Sequence, residues 1–406
     1  MESRAPYQRI WQTLAAEKAL VLLAGPRQVG KTTLARLIAG TFANSAYANW
    51  DLPADRARIV SDPAFFTKAP RRDASRPLVI LDEIHKQPRW KAWLKGLYDG
   101  WAADYRFLVT GSGRLDLHQR GGDSLAGRHL LFHLWPFTLG ELHGGARTMA
   151  EFRRTPLAVS LDRRLELAGT WTRLEELSGF PEPFLGGRVA SYRRWSAAYG
   201  SQLVRQDIRD LAGLRSVTQA ETLYQLLPSR VGSPLSVPSL ARDLGVAYNT
   251  VQGWLALFER FFLVFGLPTW TSRIARAIRK ERKYYLLDVA RIEDPAARFE
   301  NQVALELLRA TSCWNALGEG EFTLHFVRDK QRREADFLLV DRRKPLLLVE
   351  AKLGDERPGP GLQALQRALR VPAVQLVREA TAFRALRNDD LDLLVAPACC
   401  WLGGLP

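Results

Sequence analysis

Runs of apolar residues and changes in their period divide this chain into elements. ALVLLA (19–24) is a continuous apolar run, preceded by a helical pattern over residues 1–19. A Gly-containing loop follows, then a helical pattern over 31–39. SAYANWD (45–51) has the character of a second strand. PLVILDE (77–83) is apolar until its last two residues. RFLVTGS (106–112) comes after a Trp-rich helical stretch at 89–99. Short, nearly unbroken apolar runs are the mark of parallel strands covered on both faces. Strand, helix, strand, helix, strand therefore predicts a doubly wound α/β fold. Residues 113–140 read as loop with short elements, ending at LWPFTLGEL.

From about 146 to 230 the pattern is helical and Arg-rich, broken by Pro and Gly in SGFPEPFLGG (178–187). Residues 234–270 read as a separate helical unit. Strands return from about 284 in KYYLLDV, FTLHFV, ADFLLV, PLLLVEAK, AVQLV and LDLLVA, with a helix at 295–310 before most of them. The expected organisation is an α/β domain over 1–145, a helical region over 146–230, a winged-helix module over 231–283 and a second α/β domain over 284–406.

Composition narrows the setting. Apolar residues make up 47%, ample for full cores. The longest greasy stretch, LALFERFFLVFGLPTW, is interrupted by Glu259 and Arg260, so no membrane span is expected. The first twenty residues lack the apolar run of a signal peptide. The three cysteines, Cys313, Cys399 and Cys400, are odd in number and two are adjacent. That is neither a disulfide framework nor a zinc pattern, and it points to a reducing, cytoplasmic setting. The net charge of +15 favours polyanions, nucleic acid first and DNA ahead of RNA. Ordinary solubility in an Arg-rich genome gives the same balance.

The most specific chemistry lies after the first strand. Gly25-Pro26-Arg27-Gln28-Val29-Gly30-Lys31-Thr32 is a full G-x-x-x-x-G-K-T, with Thr33 next. Its glycines let the backbone curl so that N–H groups face a phosphate chain, and the following helix adds its positive end. Lys31 is placed for the β- and γ-phosphates of ATP, and Thr32 for Mg²⁺. Asp82 and Glu83 close the strand PLVILDE; Asp82 suits Mg²⁺ and Glu83 suits an attacking water. At the tip of RFLVTGS, Ser112, with Thr110 second, is the candidate to sense the γ-phosphate. Of Arg114, Arg120 and Arg128, Arg128 is favoured as the transition-state cation. Acting in trans, it requires a homo-oligomer.

In this order the P-loop, LVILDEIHKQPRW, FLVTGS, SLAGR and LWPFTLGEL resemble a widespread family of prokaryotic AAA-type ATPases. That family ends in a domain of unknown function with a winged helix and a restriction-endonuclease-like fold. SGFPEPF, LVRQDIRDL (203–211) and KYYLLDV are similar to its C-terminal half. The resemblance implies ATP binding and hydrolysis.

SVPSLARDLGVAYNTVQGWLALFERFFLV reads as helix-turn-helix. Ser236 caps the first helix, with Pro238 in its first turn. Leu240 and Leu244 share a face, and Gly245 ends the helix. Val251, Trp254, Leu255 and Phe258 recur at helical spacing, and a wing is expected in FFLVFGLP. Tyr248, Asn249, Thr250 and Gln252 are left outward to meet base edges. Because residues 246–258 carry no Lys or Arg, protein packing stands beside DNA binding. Downstream, Arg273, Arg276, Arg279, Lys280, Arg282 and Lys283 form a cationic stripe suited to phosphates.

In the last domain, Asp336 precedes Glu350-Ala351-Lys352 by fourteen residues. Residues two apart on a strand face the same way, so Glu350 and Lys352 share a face. Asp336 and Glu350 are the candidate Mg²⁺ ligands, Lys352 the water-orienting group, and Glu300 a further carboxylate. The set looks like the D-(E-x-K) signature of restriction-endonuclease-like domains; the alternative is an inactive fold carrying a salt-bridge cluster. Phe299, Val303 and Leu307 are the expected buried stripe of the Glu300 helix. Two functions compete: an ATP-driven protein acting on nucleic acid, and an ATP-dependent switch whose nuclease-like domain recruits a protein. A small-molecule kinase ranks third, because Glu83 suits water rather than an acceptor pocket.

Overall fold

The computed structural model describes residues 4–113, 115, 125–145, 147–208, 217–271, 281–354, 357–378, 383–388 and 391–406. They divide into two compact units, residues 1–135 and 136–406.

The first unit opens with α1 (Ala5–Glu17) and β1 (Leu20–Ala24), followed by α2 (Lys31–Ala39), β2 (Ser45–Asn49) and α3 (Pro53–Ser61). After these come β3 (Leu78–Asp82), α4 (Trp90–Trp101), β4 (Arg106–Gly111) and β5 (His129–His133). The sheet has the order β2-β3-β4-β1-β5, with every pairing parallel. All residues of β1 and β3 are buried, so both faces of the sheet's centre are covered, as the apolar runs require. Two elements escape the sequence pattern. β5 is an edge strand with three apolar residues between His129 and His133. α3 buries only Ile59 and so carries no apolar stripe.

The second unit begins with helices at Leu139–His143, Met149–Arg154, Arg164–Leu177, Pro181–Gly186 and Val189–Gln202. Thr148 and Glu151 form a capping box at one helix start, each side chain meeting the other's backbone N–H. A helix at Val217–Leu226 precedes the pair Val237–Asp243 and Tyr248–Arg260. In that pair Ser236 accepts from the Ser239 N–H, and Gly245 adopts φ 64° between the helices. Val251, Trp254, Leu255 and Phe258 are buried. β6 (Val264–Pro268) and β7 (Arg282–Leu286) then pair antiparallel. KYYLLDV is therefore not a strand of the C-terminal sheet, as its apolar content suggested. Its alternation is satisfied by β6 instead, and Pro234 bridges it at Lys283.

The helix Pro295–Ala316 follows, capped by Asp294 through the Ala297 N–H at 2.7 Å. β8 (Phe322–Arg328), β9 (Glu334–Asp341) and β10 (Lys344–Lys352) form an antiparallel meander. After the helix Pro360–Leu369, β11 (Ala373–Val377) joins β10 in parallel. β12 (Arg384–Asn388) and β13 (Leu391–Pro397) complete the order β12-β13-β11-β10-β9-β8. One face of this sheet packs Leu338, Val340, Leu348 and Val395 against Leu362 and Leu365. Phe299, Val303 and Leu307 are buried along the long helix, as its stripe predicts. Among the described residues no helix is long and apolar enough to cross a membrane. All three cysteines are buried and free of disulfides.

Candidate functional site

β1 ends at the buried Ala24, and the chain turns through Gly25–Gly30 into α2. A Cβ at Gly25 would stand 2.3 Å from the Leu134 carbonyl oxygen, so only glycine lets the loop leave the sheet here. Gln28 and Gly30 have φ 59° and 97°, the left-handed turns that curl the loop. No side chain caps α2 at Gly30, which leaves its first-turn N–H groups for an anion. Thr33 lies exposed on that first turn, Arg27 is half-buried and Gln28 exposed. The loop is braced by a residue that sequence reasoning missed: the buried Arg4 donates to the carbonyls of Val29 and Trp135, each at 2.7 Å. Nothing in its sequence context marks it out.

Lys31 folds back on the loop and donates to the Gly25 carbonyl (3.1 Å) and the Pro26 carbonyl (2.6 Å). Burial lowers its pKa to about 8, with Glu83 and Asp82 pulling the other way. Asp82 is 1% exposed at the end of β3. It accepts from Thr32 Oγ1 (2.7 Å), from Tyr47 OH (2.7 Å) and from the Thr110 hydroxyl. Tyr47, on the neighbouring β2, was missed as well. Burial, then the hydrogen bond to Asp82, pushes its pKa up to about 12, so it stays a donor. A hydroxyl and a carboxylate oxygen in contact form a hard oxygen donor set, which fits Mg²⁺ held by Thr32 and Asp82.

Glu83 sits at φ 56°, just past the strand end, and its N–H donates to the Thr110 carbonyl at 3.1 Å. The Glu83 carboxylate pairs with Lys86 at 3.1 Å, and Lys86 also meets Asp51 at 2.6 Å. Buried His85 links two candidates: its Nε2 is 3.4 Å from Ser112 Oγ and 3.7 Å from Glu83 Oε2. At Gly111 a Cβ would stand 2.4 Å from His85 Nδ1, so this glycine makes room for the ring. The spacing D-E-x-H in the sequence was the available signal for His85. Thr110 serves Asp82, leaving Ser112 beside His85.

Arg128 lies elsewhere on the same unit. It pairs with Asp99 of α4 at 2.8 Å, exposed to solvent. The next residue, His129, registers with Leu20 at the start of β1, whereas the loop leaves β1's other end. That separates Arg128 from its own phosphate loop by roughly 15 Å of strand. Arg114 and Arg120 lie outside the described residues, as do Arg273, Arg276, Arg279 and Lys280.

In the second unit Asp336 sits beside β10, its Oδ2 accepting from the Ala351 N–H at 3.0 Å. Glu350 and Lys352 share a face and pair at 2.9 Å. Glu300 is nearby, accepting from Tyr285 OH at 2.7 Å. Burial, then Asp336, pushes the Glu300 carboxyl up to about 7. Lys283, read from sequence as part of a cationic stripe, is instead inserted among Glu300, Glu334 and Asp336 at 3.2, 2.7 and 3.4 Å. Among the described residues no group of three or more His, Cys, Asp or Glu side chains is arranged to hold a metal. Of the two carboxylates that sequence reasoning gave to Mg²⁺, Asp336 meets the Lys283 ammonium at 3.4 Å and Glu350 meets that of Lys352 at 2.9 Å. On the helix Tyr248–Arg260, Tyr248, Asn249 and Gln252 are exposed and Thr250 half-buried; Gln252 donates to Tyr248 OH at 2.8 Å.

Comparison with known proteins adds to this geometry. Residues 171–292 match a family described as a domain of unknown function (DUF8612). An uncharacterized protein, Rv2008c, of Mycobacterium tuberculosis is 28% identical over 269 residues, covering 66% of this chain. The chain spans only 54% of that relative's length. The Holliday junction branch migration complex subunit RuvB of Chlorobium chlorochromatii is 23% identical, over 64% of this chain and 76% of that protein. Among solved structures, the Walker-type ATPase of Pyrococcus abyssi aligns with TM-score 0.43 and 16% identity, covering 72% of this chain and 95% of that one. Residues 17–143 match a family described as an AAA domain, in keeping with the parallel sheet and its curled loop.

Proposed function

We propose that the first unit binds Mg-ATP and hydrolyses it, and that the second unit turns this cycle into action on nucleic acid, DNA ahead of RNA. The observation that carries the ATP reading is the contact between Thr32 and Asp82 at 2.7 Å beside the Lys31 loop. It supports one metal-binding corner at the foot of a phosphate cradle. In this reading Glu83 activates the water, Ser112 reads the γ-phosphate through His85, and an arginine arrives from a second copy of the chain. Because Arg128 stands at the far end of its own β1, it can serve only in trans.

The nucleic-acid half rests on the net charge of +15 and on two helices followed by the β6–β7 hairpin, an arrangement that supports a winged-helix reading. One relative is a subunit of a Holliday junction branch migration complex, which is in keeping with DNA. The long helix, antiparallel meander, helix and parallel β11 support a restriction-endonuclease-like reading of the last domain. ATP turnover measured with a panel of single- and double-stranded DNA and RNA tests the whole. Turnover should rise with DNA and vanish in Lys31→Ala. Turnover indifferent to every nucleic acid would sink the second half, and turnover surviving in Lys31→Ala would sink the first.

One observation favours a second reading. The Lys283 ammonium among the C-terminal carboxylates suits a fold kept without cleavage, so that ATP drives a switch recruiting a protein partner. Slow turnover unaffected by DNA, with tight nucleotide retention, would select it.

A further inference from the structure

Glu300 comes from the helix Pro295–Ala316, and Glu334 and Asp336 from β9. Successive odd positions on β7 face the same side, and both are used here. Tyr285 donates to Glu300 Oε1 at 2.7 Å, and Lys283 places its Nζ within 3.2 Å of Glu300, 2.7 Å of Glu334 and 3.4 Å of Asp336. The Lys283 side chain is only 1% exposed. Each carboxylate also has a second partner. Ala351 N–H fixes Asp336, Tyr285 fixes Glu300, and Arg328 lies 3.5 Å from Glu334.

We infer that Lys283 is a built-in cation occupying the place a divalent metal would take, so that the native chain loads no metal there and removal of the ammonium opens a divalent-cation site. An ammonium with three carboxylates inside 3.4 Å satisfies the same field that draws a hard cation to oxygen ligands. A metal entering beside it would meet a like charge at about 4 Å and be repelled. Lys283 is not carried on a loose arm: it is the second residue of β7, registered with Leu267 of β6 and bridged to Pro234. The cluster thus fastens the helix-and-hairpin module to the sheet with a charge where a nuclease would keep a metal. This inference stands apart from the nucleotide reading.

The test counts bound Mn²⁺ on the full chain without nucleotide, by the loss of the free-ion EPR signal. The native protein, Asp336→Asn, Lys283→Met, Lys283→Gln and the double variant Lys283→Met/Asp336→Asn are compared; the P-loop is common to all and cancels. Native protein and Asp336→Asn should bind alike. Lys283→Met and Lys283→Gln should each hold an additional ion, at least about tenfold tighter than any the native protein holds in this unit, and lose it in the double variant. Their melting temperatures should rise with Mn²⁺ where the native protein's does not. An Asp336-dependent ion on the native protein overturns the inference, as does a folded Lys283 variant with no ion gained. Should both Lys283 variants fail to fold, the native and Asp336→Asn comparison still decides: equal binding upholds the inference and unequal binding overturns it.

Discussion

Lys31 donates to the carbonyl of Pro26 across 2.6 Å, so the P-loop lysine is folded onto the loop it belongs to. Burial there lowers its pKa from 10.5 to about 8. A triphosphate taking the place of those carbonyls would restore the charged form and raise that pKa. Above about pH 8 the free protein has lost the proton that the complex needs. Nucleotide binding should therefore weaken as pH rises through this value and take up a proton at pH 9. Titration calorimetry in two buffers of different ionisation enthalpy measures that uptake. Buffer-independent heats at pH 9 would show that Lys31 is not the group contacting the phosphates, and Lys31→Ala should bind no nucleotide.

Glu83 is tied to Lys86 at 3.1 Å and stands 3.7 Å from His85, yet no side chain binds it as Asp82 is bound by three hydroxyls. The two carboxylates are thus sorted by their surroundings: Asp82 is a fixed anchor, and Glu83 keeps the place proposed for it as the base. Glu83→Gln should leave nucleotide affinity nearly unchanged and slow single-turnover hydrolysis by about 10²–10⁴-fold. Equal rates in the two proteins would remove Glu83 from the chemistry.

Much of this was legible in the chain. The apolar runs at 19–24, 77–83 and 106–112 mark β1, β3 and β4 because a strand covered on both faces has no polar face to hide it. Gly25, Gly30, Lys31 and Thr32 are bound by spacing to a loop geometry, so a string of eight residues suffices. Arg4 and Tyr47 could not be found that way. Each meets the site across a distance in sequence, 25 residues for Arg4 to Val29 and 35 for Tyr47 to Asp82, and no local pattern encodes such a pairing. Lys283 misled for the opposite reason. Among Arg279, Lys280 and Arg282 it reads as one more surface cation, and only the position of Glu334 and Asp336 on β9 reveals a buried one.

Gly111 and Gly96 predict opposite outcomes for the same substitution. At Gly111 a methyl group would meet His85 Nδ1 at 2.4 Å and Leu115 Cγ at 2.8 Å, in a buried strand end with no room to yield. Gly111→Ala should destabilise by about 1–3 kcal/mol and displace His85 from Ser112, lowering turnover with it. Gly96 lies within α4 with nothing within 4 Å of its would-be Cβ. Gly96→Ala should stabilise by about 0.5–1 kcal/mol without touching turnover. Thermal unfolding and an ATPase assay on the two variants check this. A Gly111→Ala protein as stable and active as the native one would show that the His85 contact is dispensable.

Glu306 makes the second unit sensitive to pH. It is buried on the helix Pro295–Ala316, where it accepts from the Leu139 N–H and from Gln302 Nε2, each at 3.0 Å. Burial pushes its carboxyl up from 4.5 to about 7, with Arg309 opposing and Glu141 adding to the rise. A carboxyl whose folded pKa lies above its unfolded value binds its proton more tightly in the folded chain. That contribution is complete below about pH 4.5 and is lost as pH climbs through about 7, an effect on the order of 3 kcal/mol. Glu306→Gln keeps an oxygen for Leu139 and carries no charge at any pH. Its melting temperature should match the native protein's near pH 5 and exceed it at pH 8. Some slope will persist in the variant, because Glu300 is raised to about 7 as well. Parallel melting curves for the two proteins from pH 5 to 8 would mean that Glu306 is already ionised in the fold, with Arg309 outweighing its burial.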